Sequence, residues 1–113
     1  MRIVFRVLMV VAVLAVMAVQ PALAQDAAEK GKAVYAAQKC SVCHAIAGAG
    51  NKNNPLDGVG KKLSAADIHA WIVTPKEMTQ KTKSTKKPPM TDRYSKLPAA
   101  DLDALVAYMV SLK

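Results

Sequence analysis

The stretch Cys40-Ser41-Val42-Cys43-His44 decides how this chain is read. Two thiols stand three positions apart and an imidazole follows at once. Cys-x-x-Cys-His is the attachment signature of a c-type haem. The spacing has a chemical basis: two vinyl groups of one porphyrin need two thiols held close together, each forming a thioether. The adjacent imidazole can then turn back over the ring and ligate iron, a role that suits imidazole nitrogen. Thiolate reactivity explains why cysteines serve. Two other readings compete. A thioredoxin-like redox pair would lie in a βαβ pattern, and none surrounds the run. A zinc site needs more ligands, but the chain has no other cysteine and only one other histidine, His69. Cys40, Cys43 and His44 are therefore the candidate cofactor-binding residues for one covalent haem c per chain. His44 is the first candidate metal ligand.

Outward from this run, the N-terminal side reads as a leader. The chain has 113 residues and a formal charge of +8. Arg2 and Arg6 precede an uninterrupted apolar run from Val7 to Val19, and Pro21 leads into Ala22-Leu23-Ala24. A basic start, a short apolar run and an A-x-A site make a secretory signal peptide. The apolar run is short for a membrane span. The expected division is a cleavable leader over 1–24 and one domain over 25–113, with a retained anchor as the alternative. Cleavage would leave 89 residues of charge +6. Export and thioether attachment point the same way, to the periplasm, because free cysteines outside the cytoplasm tend toward disulfides unless they are otherwise used.

The remaining chain suits one small all-α domain. Its only phenylalanine is in the leader, which leaves Trp71 and three tyrosines as aromatics. So small a core of Ala, Val, Leu and Met is marginal alone. A buried haem would supply the missing apolar bulk, and the apoprotein is expected to fold poorly. Ala27, Gly31, Val34, Tyr35 and Gln38 fall on one stripe of a first helix. Gly31 there costs about 1 kcal/mol relative to alanine, which calls for a close helix approach. Residues 48–60 have loop and turn composition. Ser64 and Asp67 form a capping box before a helix over Ala65–Val73, with Ile68, Trp71 and Ile72 on its apolar face and Pro75 at its end. His69 lies off that face and is expected to be exposed. Residues 76–87 read as a polar, basic connector. A last helix over Ala99–Leu112 carries Leu102, Leu105, Val106, Met109 and Leu112 at helical spacing.

The iron needs a second axial ligand or an open face. Met90 is the candidate, because Pro88-Pro89 stiffens its approach; Met78 is the competitor. Pro55 is the candidate to accept the His44 Nδ1 proton through its carbonyl, a contact that fixes the tautomer of a ligating histidine. Trp71 is a candidate haem-packing residue whose indole N–H would reach a haem carboxylate. Two axial ligands favour outer-sphere, one-electron transfer, and no nucleophile or general base is apparent. From Lys76 to Lys96 seven basic residues face only Glu77 and Asp92, a net of +5. Such a surface would steer the protein to acidic redox partners. Nucleic-acid binding is disfavoured by export and by the absence of a recognition motif. A monomer without stable membrane insertion after cleavage is expected.

Together these features resemble a class I cytochrome c, a small mono-haem electron carrier of the bacterial periplasm. The resemblance runs from about Ala27 to Lys113. Gly31 and Tyr35 are similar to the family's first-helix glycine and aromatic. Cys40, Cys43 and His44 match its haem attachment and proximal ligand, Pro55 its histidine-holding proline, and Trp71 its tryptophan before the methionine loop. Met90 matches the distal ligand, and Leu105 and Tyr108 the last-helix positions that meet the first helix. Asn54 stands where many relatives have glycine, and Leu97-Pro98 where many have a serine cap. The resemblance implies terminal helices crossing beside one haem, and an electron carrier rather than an enzyme. The alternatives are a haem subunit of an oxidoreductase complex, and a haem enzyme or sensor with an open distal site.

Overall fold

The computed structural model describes residues 22–113, so the basic start and apolar run of the expected leader lie outside the described residues. Helix α1 covers 22–37 of them. A 3-10 turn over Cys40–Val42 follows, then strands β1 (Ala45–Ile46) and β2 (Ala49–Gly50). Four more helices complete the order: α2 (Val59–Lys62), α3 (Ala65–Val73), α4 (Pro75–Thr82) and α5 (Ala99–Ser111), with a 3-10 turn at Asp92–Tyr94 before the last. The strands pair as a minimal antiparallel hairpin, Ala45 opposite Gly50 and Ile46 opposite Ala49. Helices thus carry the fold. Among the described residues none is long and apolar enough to cross a membrane.

The terminal helices cross where the sequence places its glycine. A side chain at Gly31 would collide with the Ala104 carbonyl and stand 2.6 Å from Tyr108 Cβ. One turn on, the Tyr35 and Tyr108 rings meet edge to face, with centroids 5.9 Å apart at 75°. An exposed Lys30–Asp101 ion pair at 3.8 Å lies beside the crossing and contributes at most about 1 kcal/mol. Burial does the larger share. Val34 of α1, Ile68 and Ile72 of α3, and Leu102, Leu105 and Met109 of α5 form one buried cluster.

Helix α3 has the expected bounds, and Ser64 Oγ caps it by accepting the Asp67 N–H at 3.1 Å. Helix α5 starts at Ala99, and Pro98 before it supplies no side-chain cap. The connector expected over 76–87 is corrected: its first half is α4. Pro75 both ends α3 and opens α4, since at the first helical position its missing N–H costs nothing. Glu77 in the first turn and Lys81 in the last suit the helix dipole. The buried face of α4 is only Pro75 and Met78, too few residues for a visible period. Residues 59–60, expected as turn, begin α2. That helix is tied to the chain end, with Gly60 N–H donating to the Leu112 carbonyl at 2.8 Å and Lys113 Nζ to the Gly60 carbonyl at 3.1 Å.

Candidate haem-binding site

The Cys40–His44 run is one tight turn. Lys39, left-handed at φ 55°, swings the chain out of α1. The Cys40 carbonyl then accepts from Cys43 N–H at 3.1 Å and from His44 N–H at 3.0 Å. One acceptor thereby gathers both thiols and the imidazole. The hairpin supports the turn. Asn51 N–H donates to the Ser41 carbonyl at 3.1 Å and the His44 carbonyl at 3.0 Å, and Asn51 Nδ2 donates to the Val42 carbonyl at 3.3 Å. Gly50 has φ 107°, and a Cβ there would collide with the His44 carbonyl. Only glycine fits so close an approach in that conformation. Sequence reading missed the roles of Gly50 and Asn51. Their only signal was a Gly-Asn pair within a loop-like stretch.

His44 Nδ1 lies 3.3 Å from the Asn54 carbonyl. A carbonyl only accepts, so Nδ1 carries the proton and Nε2 keeps its lone pair for iron. The expectation that Pro55 supplies this carbonyl is corrected. Ala45 and Pro55 form a parallel bridge in which Ala45 N–H donates to Asn54 and Leu56 N–H donates to Ala45. In that register the carbonyl preceding the bridged residue faces His44, and the next one points away. Burial lowers the His44 pKa, opposed by the Asn54 hydrogen bond, which favours the neutral imidazole that a metal requires. Burial also raises the Cys40 pKa, with charge on Cys43 adding to the effect and a backbone hydrogen bond opposing it. Tyr35 is pushed up to about 12 by burial and then by Cys40. Its hydroxyl therefore stays a donor, reaching the His44 carbonyl at 3.5 Å.

These groups open on one cavity of about 410 Å³, within the usual range of roughly 300–1,000 Å³ for cofactor sites. Cys40, His44, Trp71 and Met90 all line it. Most of the remaining wall is apolar, including Leu56, Val59, Leu63, Ile68, Leu105 and Met109. A thiol, an imidazole with a free Nε2 and a thioether around an apolar hollow fit an iron porphyrin. Residues 28–113 match the family model described as Cytochrome c. The chain belongs to the cytochrome c family. It carries one covalent haem c on Cys40 and Cys43, with His44 as iron ligand, and serves as an electron carrier. Neither the search of curated proteins nor that of solved structures finds a match.

Not every expected site residue of this cytochrome c faces the cavity. Cys43 and Pro55 are exposed and do not contribute to its wall. Met78, the competitor to Met90, is 6% exposed within the core and is also absent from the wall. His69 is exposed, as its position on α3 implied. Helix α4, unforeseen, contributes Thr79 and Thr82 to the wall. Their hydroxyls donate back to the Pro75 and Met78 carbonyls at 2.8 Å, which lowers the cost of placing them beside an apolar ligand.

Proposed function

We propose that this cytochrome c carries single electrons between periplasmic proteins as a diffusible monomer, with Met90 as the axial ligand opposite His44. One observation carries the reading: Met90 and His44, from distant parts of the chain, line the same apolar cavity. When bound, haem supplies a one-electron iron couple. The protein excludes water with α3 and α5, holds the His44 tautomer through Asn54, and presents a soft thioether that raises the reduction potential. With both axial positions held, no coordination site remains for a substrate. Trp71 is half-buried and lines the wall, which supports the reading that it packs on haem and offers its indole N–H to a carboxylate.

The leader composition supports export. Charge supports the choice of partner. Lys76, Lys81, Lys83, Lys86, Lys87, Arg93 and Lys96 are all exposed, and Lys86 also belongs to the cavity wall. Positive charge beside the redox centre attracts an acidic partner over a Debye length, about 10 Å at 0.1 M salt. The interface need only be small. The oxidised protein should show the weak long-wavelength sulfur-to-iron charge-transfer band. Its electron-transfer rate with an acidic redox protein should fall about tenfold or more between low and physiological ionic strength. An oxidised spectrum without that band, together with rapid cyanide binding, would instead indicate an open-site enzyme or sensor. A rate indifferent to salt, with elution in a large assembly on gel filtration, would indicate a permanently docked subunit.

A further inference from the structure

The two loops that flank the cavity are joined by very little. One runs from Asn51 to Gly58 and carries Asn54, the carbonyl partner of His44. The other runs from Lys83 to Thr91 and carries Met90. Among the described residues a single hydrogen bond joins them: Lys86 Nζ donates to the Asn53 carbonyl at 3.3 Å. Both ends of that bond are anchored. Lys86 sits in a turn held by its own N–H donating to Ser84 Oγ at 3.4 Å, and Ser84 N–H donates to the Thr79 carbonyl of α4 at 3.1 Å. Asn53 N–H donates to Asn51 Oδ1 at 3.1 Å. Asn51 in turn holds the carbonyls of Ser41, Val42 and His44. Lys86 and Asn54 both line the cavity.

From this continuous path we infer that Lys86 is a positioning residue, a clasp that holds the Met90 loop closed against the Cys40–His44 turn. Its hydrogen bond goes to neither ligand. Past Lys86 the chain has only Lys87 and the stiff Pro88-Pro89 before Met90, so a restraint on Lys86 is transmitted to the sulfur with little slack. Releasing the clasp favours conformations in which Met90 swings out and the distal face opens. An added ligand that binds only the open state then binds better in proportion to the population of that state. The bond is exposed and modest, worth about a 2- to 10-fold change in an equilibrium. The inference rests on Met90 being the distal ligand.

The test titrates the oxidised holoprotein with imidazole, following the loss of the sulfur-to-iron band and the Soret shift. Lys86→Met should bind imidazole about 2- to 10-fold more tightly than wild type. Lys86→Arg, which keeps a long donor, should stay near wild type. Lys87→Met, which removes the same charge from the same loop, should also stay near wild type. Equal affinities for Lys86→Met and wild type would overturn the clasp. So would an equal gain in Lys87→Met, since charge alone would then account for it. A wild-type protein lacking the band would sink the assignment of Met90, and the clasp with it, so the two failures are told apart by the unmutated spectrum.

Discussion

Replacing Gly31 by alanine should destabilise the holoprotein by about 2 kcal/mol, although alanine is the better helix former by about 1 kcal/mol. The added methyl meets the Ala104 carbonyl and Tyr108 Cβ. Neither is the tip of a flexible side chain, so α1 and α5 must move apart. Overpacking of this kind costs about 1–3 kcal/mol. Separation also loosens the Tyr35–Tyr108 edge contact, worth about 0.5–1.5 kcal/mol. For a domain of this size the loss corresponds to a fall in melting temperature of roughly 8–16 °C. Tyr108→Ala should not rescue the variant, because the collision with the Ala104 backbone remains. Lys32→Ala, on the exposed side of the same helix, is the neutral control. Thermal melts of the four proteins decide the matter. A Gly31→Ala protein as stable as wild type would mean that helix propensity outweighs the crossing.

The same crossing shows what sequence can reveal. A glycine in an otherwise ordinary helix demands a reason, and the pairing of Gly31 and Tyr35 with α5 could be anticipated from that demand. Helix α3 was legible because Ser64, Asp67 and the spacing of Ile68 and Ile72 agree with one another. Helix α4 was not. It buries only Pro75 and Met78, and its eight residues are too few to form a stable helix without that packing. Helix α2 is shorter still and is held from the far end of the chain, through Leu112 and Lys113. The Cys40, Cys43 and His44 chemistry was plain, because the residue types and spacing are themselves the signal. The direction of a carbonyl leaves no such trace. Asn54 rather than Pro55 faces His44 because Ala45 fixes the register of a bridge ten residues away. Asn51 gained its place from the same non-local geometry.

With Met90 as the proposed axial ligand, Met90→Ala should leave a folded haem protein whose reduction potential falls by on the order of 0.2 V, a sizeable part of the roughly 0.8 V over which axial ligands set haem potentials. The reasoning begins with the donor. A soft, neutral thioether favours the reduced iron over the oxidised, so losing it stabilises the oxidised state. Two thioethers and His44 still hold the haem, and the apolar wall from α3 and α5 is untouched, so the fold should survive. The sulfur-to-iron band should vanish, and cyanide should bind quickly at the vacated position. Met78→Ala supplies the contrast. Met78 is 6% exposed in the core and stands outside the cavity wall. Truncating it leaves a hole worth about 2–5 kcal/mol of stability but leaves the iron its sulfur. One variant should therefore change the potential and spectrum with little loss of stability, and the other the reverse. Voltammetry, optical spectra and denaturant melts on the pair read both halves of that pattern. If Met78→Ala instead removed the band while Met90→Ala kept it, α4 would have to turn its buried face into the cavity and the distal ligand would be reassigned.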